Sequence, residues 1–325
     1  MQENDIKLSF MTEKKEGHGE DAPPLLFIKE EFYAVGVFDG MGGAGAATCD
    51  SEYGEGYTKA YVSSRIVRDT VENLLEEQAE KDDWLEVLKM RILQRLKLEQ
   101  EKFPSKTKSM LRSKMVREYP TTMAIVMMQP SDKNLLIDSY WAGDSHCYLW
   151  TSQGFYQISK DDLEENNDPM ENLNNDAPIS NCICADRDFT INHIHVELPK
   201  EPVVILCATD GCFGYLPTPM HFEDVLKRNL KNAQNVKDWE KKIMRDILSV
   251  TGDDTSLSLI AYGYDSFYSL KKEQKGNSNI LKDVRQLEAS IAELKKQLEM
   301  KIEHYESRKK KNWDLYKQEY MKYLK

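Results

Sequence analysis

Hydrophobic and polar residues are patterned in two ways along this chain. Short apolar runs bounded by Gly, Pro, Asn or Asp predict strands over residues 7–12, 25–28, 32–38, 121–129, 135–142, 147–151, 189–198, 202–209 and 255–262. Apolar positions recurring every three to four residues predict helices over 54–78, 83–101, 220–229 and 236–248. The helices come in pairs between groups of strands rather than one after each strand. That order favours an α+β layered domain with largely antiparallel sheets over a doubly wound parallel fold.

Beyond residue 264 the strand-like runs and the prolines stop, and Gly276-Asn277-Ser278-Asn279 reads as a linker or a helix entry. Val284, Leu287, Ile291, Leu294 and Leu298 then alternate steps of three and four, the seam of a coiled coil. The spacing slips through Ile302, Tyr305, Trp313, Tyr316, Tyr320 and Tyr323, which predicts a local change of supercoil. The expected division is a globular domain over 1–264 and a linker with a coiled-coil helix over 265–325. That helix is expected either to lie on its own domain or to bind a partner protein or a second copy of the chain.

Charge separates the same two parts. The chain carries 44 Lys+Arg against 55 Asp+Glu, net −11; residues 265–325 hold 15 basic and 10 acidic residues, which leaves 29 and 45 for residues 1–264. An acidic body repels a nucleic-acid backbone, so nucleic acid is not an expected partner. No apolar run approaches the roughly 20 residues of a bilayer span, so no membrane association is expected either. The acidic N-terminus lacks the basic-then-apolar order of a secretory signal, and a cytoplasmic protein is expected. Six cysteines stand at no metal-site spacing and read as reduced and structural.

The chemistry is carried by a recurrence. Strand 32–38 runs into Asp39-Gly40, strand 135–142 into Gly143-Asp144, and strand 202–209 into Asp210-Gly211, while strand 255–262 leaves from Gly252-Asp253-Asp254. One Asp-Gly is an ordinary turn. Four at the ends of rigid strands bring carboxylates toward one place. Acids packed within ~4–6 Å raise one another's pKa and call for a cation. Oxygen ligands alone point to Mg²⁺ or Mn²⁺ rather than zinc.

The ordered series Glu20-Asp21, Asp39-Gly40-Met41-Gly42-Gly43, Thr121-Thr122, Gly143-Asp144-Ser145, Ala208-Thr209-Asp210-Gly211 and Asp253-Asp254-Thr255-Ser256 resembles the motif set of the metal-dependent protein phosphatase 2C family, in a bacterial-like form, over about residues 5–263. The resemblance implies an αββα four-layer sandwich, two central antiparallel sheets flanked by helices, here with a C-terminal helical extension. It implies a cytoplasmic signalling hydrolase acting on phosphoserine and phosphothreonine in proteins through water activated by two Mg²⁺ or Mn²⁺ ions. Asp39, Asp210 and Asp253 would be the catalytic residues. As metal ligands, Asp39 would bridge the ions and Gly40 would offer its carbonyl. Glu20 would hold the second ion with Asp21 beside it, Asp210 and Asp253 the first, and Asp144 with Asp210 a third. Asp254 stands where the family usually has asparagine and would support the ligands rather than join them.

Two departures leave the substrate contacts unassigned. Glu16 occupies the place where many members grip the phosphate with arginine, and Met41 stands where a histidine is common. Lys14, Lys15, His18 and His146 are the candidate substrate-binding residues. Two alternatives therefore stay open beside the protein phosphatase: a catalytically weak binding or signalling module acting through its C-terminal helix, and a phosphatase for a small metabolite.

Overall fold

The computed structural model describes residues 6–77, 83–106, 116–164, 168–173, 178–274 and 281–324. The chain forms two compact units, Met1–Gly276 and Asn277–Lys325.

In the first unit, one sheet joins β1 (Ile6–Thr12), β12 (Thr255–Tyr262), β11 (Val203–Ala208), β8 (His146–Trp150) and β9 (Phe155–Gln157) in that order. The other joins β10 (Asn192–Pro199), β7 (Asn134–Ala142), β6 (Met123–Pro130), β3 (Phe32–Val37) and β2 (Leu25–Lys29). Every pairing is antiparallel. The sheets face each other through Val35, Val37, Val126, Ile137, Leu149 and Ile205, all buried. On the outer face of the second sheet, Ile125 and Met127 meet Val62, Ile66 and Leu74 of α1 (Lys59–Glu76) and Leu88 of α2 (Trp84–Lys102). On the outer face of the first, Leu206 and Leu259 meet Phe222 and Leu226 of α5 (Pro219–Asn232) and Trp239 of α6 (Val236–Leu248). Helix, sheet, sheet and helix make the expected four layers. The central strands are apolar without alternation because both of their faces are covered, and burial on both sides contributes about 25 cal/mol per Å² of apolar surface.

Two stretches differ from the pattern-based expectation. Residues 54–58, expected to open a helix, are instead β5 (Gly54–Thr58), hairpinned to β4 (Thr48–Ser51). Gly54 and Gly56 have φ of 134° and 74°, conformations that a helix does not use and that glycine reaches freely. The helix starts once Thr58 caps it, its side chain accepting from the Tyr61 N–H at 3.1 Å. The other stretch is α7 (Phe267–Glu273), opened by a capping box of Ser266 and Ser269. Its Leu270 is buried in the same cluster as Trp239.

Two one-turn helices, α3 (Pro169–Asn172) and α4 (Asp210–Phe213), complete the first unit. The second unit contains α8 (Lys282–Tyr320), a single helix of 39 residues with no buried side chain. All six cysteines are buried free thiols, as their spacing suggests. Among the described residues no helix is long and apolar enough to cross a membrane.

Candidate metal centre

The ends of β3, β7 and β11 and the start of β12 carry the acidic residues. Asp39 follows β3, and its carbonyl accepts the Thr122 N–H at 2.8 Å and the Thr121 hydroxyl at 2.6 Å. Thr121 is itself paired, N–H and carbonyl, with Ile183 at 3.0 Å each way. Asp39 is thus fixed through its backbone, which leaves its carboxylate free to face the other acids. Gly40 comes next, where three stretches of backbone meet. A Cβ there would stand 2.5 Å from the Glu20 carbonyl and 2.7 Å from that of Ala60.

Glu20 is held from three sides. Its N–H donates to Asp254 Oδ2 at 2.6 Å, its carbonyl accepts the Ser64 hydroxyl at 2.6 Å, and its Oε1 accepts the Thr58 hydroxyl at 2.5 Å. Its Oε2 lies over Gly42, where any Cβ would approach within 1.6 Å. Asp254 also accepts the Lys14 N–H on Oδ1 at 2.8 Å. Both of its oxygens therefore tie down the loop that carries Glu20. Asp21 turns inward, 2% exposed, and accepts from Ser256 at 2.7 Å and Thr209 at 3.3 Å. Burial, reinforced by the Asp254 and Asp210 charges, pushes its carboxyl up to about 8 against the pull of those hydroxyls.

Asp210 opens α4, and a side chain on the neighbouring Gly211 would collide with the Asp254 carbonyl at 1.8 Å. That close crossing brings Asp210 to the start of β12, where Asp253 is exposed and accepts the Asp254 N–H at 2.9 Å. Burial raises the carboxyls of Asp39, Asp210 and Asp144 above the ordinary carboxylate range, and neighbouring acids add to it. Asp39 feels Asp21, Asp210 and Asp144; Asp210 feels Asp253; Asp144 feels Asp210 and Asp161. Glu20 is raised chiefly by burial and then by Asp254 and Asp253. These acids share one field and destabilise each other's charge.

The donor set fits a hard divalent cation. It is all oxygen, the acids repel one another until a positive charge joins them, and Asp144 Oδ1 is a buried acceptor with no hydrogen-bond partner. Among the described residues no three acidic, imidazole or thiol groups already stand at ion-holding geometry. Glu20, Asp39, Gly40, Asp144, Asp210 and Asp253 are the groups that could hold such ions, with Asp21 behind Glu20.

The substrate-binding candidates separate. Lys14, Lys15 and His18 are exposed on the loop before Glu20, as is Glu16. His146 is buried and fully used: Nδ1 meets the Tyr148 hydroxyl at 2.7 Å, Nε2 meets Asp161 Oδ1 at 2.6 Å, and the ring stacks on Phe213 at 3.8 Å. No ring nitrogen of His146 is left for a phosphate.

Three contributors lie outside the recurring motifs. Asp162 Oδ2 accepts the Gly143 N–H at 3.0 Å, Asn181 Nδ2 at 2.6 Å and Asn192 Nδ2 at 3.0 Å, fixing the turn that presents Asp144. Asp161 orients His146. Buried Arg65 of α1 lies 3.3 Å over the Tyr61 ring and reaches the Glu20 carbonyl at 3.5 Å. In sequence Arg65 looks like any helical arginine, and Asp161-Asp162 like any loop acids; the one signal was two adjacent aspartates after a short strand. Beside Asp144 and Asp210 opens a cavity of about 330 Å³, walled by Tyr148, Phe213, Tyr215 and Leu163.

Comparison with known proteins agrees with this geometry. The sequence profile described as protein phosphatase 2C matches residues 21–249. The fold is similar to that of the serine/threonine phosphatase Stp1 from Staphylococcus aureus, with 19% identity over 79% of this chain and 95% of that one and a TM-score of 0.55. A bacterial serine phosphatase aligns with 20% identity over 80% and 98% of the two chains, TM-score 0.56. The catalytic domain of the serine/threonine protein phosphatase PstP, in complex with two manganese ions, aligns with 14% identity over 79% and 97%, TM-score 0.50. No curated protein sequence is significantly similar to this chain.

Proposed function

The chain belongs to the protein phosphatase 2C family, and from that premise we propose that it removes phosphate from phosphoserine and phosphothreonine in cytoplasmic proteins with the aid of Mg²⁺ or Mn²⁺. The observation that carries the reading is the convergence of Glu20, from the loop before β2, with Asp39, Asp144, Asp210 and Asp253, from strand ends, into one repelling cluster with an unpartnered buried oxygen. Bound divalent ions would supply there an activated water and the positive charge that phosphoryl transfer needs.

The protein's own part is positioning. Asp39 and Asp210 lie within hydrogen-bonding reach of each other; Asp39 would bridge two ions, and Asp210 would hold the first of them. Gly40 would offer its carbonyl, Glu20 would hold the second ion and Asp253 the first, and Asp144, which lines the cavity, would extend the set. Thr121, Thr122, Asp254 and Asp162 hold these groups by hydrogen bonds so that little reorganisation accompanies the reaction. Lys14 and Lys15 give the phosphate a compact positive charge in place of the missing arginine fork. The cavity beside Asp144 and Asp210, walled by Tyr148, Phe213 and Tyr215, has room for a neighbouring side chain of a peptide substrate.

Release of phosphate from a phosphoserine peptide tests the reading. It should cease with EDTA, return with Mn²⁺, and be lost in Asp39→Asn. Turnover indifferent to the chelator would refute it, and Mn²⁺ uptake without turnover of any phosphopeptide would favour the binding-module alternative.

A further inference from the structure

Helix α8 carries an apolar stripe whose regularity the heptad description misses. Leu287, Leu298 and Tyr320 stand eleven or twice eleven residues apart, with Lys309 at the intervening position. Ile291, Ile302 and Trp313 repeat at the same interval, as do Leu294, Tyr305 and Tyr316. The slip after Leu298 is thus one step of an eleven-residue period, which keeps a stripe in place along a nearly straight or slightly right-handed pair of helices. At about 100° per residue the stripe is roughly 100° wide. Its apolar members are between 44% and 64% exposed.

The order of steps from Leu287 to Tyr320 is four, three, four, repeated three times, and it reads the same in both directions. A second copy running antiparallel therefore meets every layer in register. Leu287 faces Tyr320, Ile291 faces Tyr316 and Leu294 faces Trp313. Nearer the middle Leu298 faces Lys309 and Ile302 faces Tyr305. Each layer then sets a smaller side chain against a larger one, whereas a parallel pair would stack Trp313 on itself and leave thin aliphatic layers elsewhere. Charge selects the same direction. Residues 304–325 hold seven Lys or Arg against three Asp or Glu, and residues 282–303 hold five of each. A parallel pair would lay Arg308–Lys311 on its own copy; the antiparallel pair lays it beside a neutral segment. Lys309, the one charged residue in the stripe, already sends its ammonium to Glu306 at 3.0 Å, so its stem can fill the layer opposite Leu298.

We propose that α8 is a self-association device: two copies of this chain join through these helices in an antiparallel pair centred between Ile302 and Tyr305. The inference is independent of the phosphatase reading. Two measurements on the full chain test it. Sedimentation at micromolar concentration should give twice the 37.7 kDa chain mass. A spin label on Ala289→Cys, an exposed position off the stripe in a chain whose six native cysteines are buried, should report an intermolecular distance of about 45 Å, the rise of 29 helical residues. Leu294→Lys combined with Ile302→Lys should return a monomer with unchanged phosphatase turnover. A wild-type monomer, including one whose tail binds anionic phospholipid vesicles, or a separation near 15 Å would overturn the proposal.

Discussion

The Asp254 tether offers the most informative perturbation of the acidic cluster. Replacing Asp254 by alanine removes two acceptors from the loop that carries Glu20, one for Lys14 N–H and one for Glu20 N–H. A hydrogen bond to a charged group contributes about 1.5–3 kcal/mol net when sheltered from water. The Glu20 contact is partly buried and keeps that value; the Lys14 contact is exposed and is worth ~1 kcal/mol or less. Removing the Asp254 charge also relieves repulsion on Glu20 and Asp21, which offsets part of the loss. The net weakening of Glu20 placement is about 2 kcal/mol, or roughly 30-fold in the apparent Mn²⁺ affinity. Asp254→Asn keeps an oxygen for one N–H and drops the charge, so its loss should be about tenfold or less. Titration calorimetry with Mn²⁺ on chelator-stripped protein, beside activation curves on a phosphopeptide, reads both variants. An alanine variant that binds Mn²⁺ as tightly as the parent, or an asparagine variant worse than alanine, would refute the tether.

Gly42→Ala places a methyl group 1.6 Å from Glu20 Oε2 and should cost Mn²⁺ affinity while leaving the far-ultraviolet circular dichroism unchanged. Asp162→Ala strands the Gly143, Asn181 and Asn192 donors and should lower stability in urea by about 2–4 kcal/mol. Trp239→Ala empties a fully buried site in the layer of α5 and α6 and should cost about 3–5 kcal/mol in the same assay. His195 is raised by the Asp138 carboxylate, so the pair stabilises the fold while histidine is charged. The stability lost in His195→Gln should be ~0.5 kcal/mol below the ordinary histidine pKa, because the pair is exposed, and should vanish as pH rises through the raised folded-state value.

What the sequence displayed was whatever repeats with a period. Strands β3, β7 and β11 were legible as apolar runs, and because a rigid strand fixes the residue after it, Asp39, Asp144 and Asp210 could be placed from them. Helices α1, α2, α5 and α6 were legible from one apolar face each. The β4–β5 hairpin was not, since its strands are short and polar and its shape is set by glycine dihedrals that no hydrophobic pattern records. The stretch between β9 and β10 was equally opaque. Asp161 and Asp162 act there through hydrogen bonds to residues up to 30 positions away, and apart from their adjacency nothing local marks them. His146 shows the limit from the other side: its sequence position allowed either a phosphate contact or a packed histidine, and only tertiary packing, which engages both ring nitrogens, decides for the second.

The central claim is that dispersed carboxylates become a catalytic site once divalent ions occupy them. Stripped protein titrated with Mn²⁺ while phosphate release from a phosphothreonine peptide is followed in the same cell tests it most directly. The account predicts uptake of two ions with activity rising in step, and neither in Asp39→Asn. Full hydrolysis before any ion is added, or no uptake by folded protein, would contradict it.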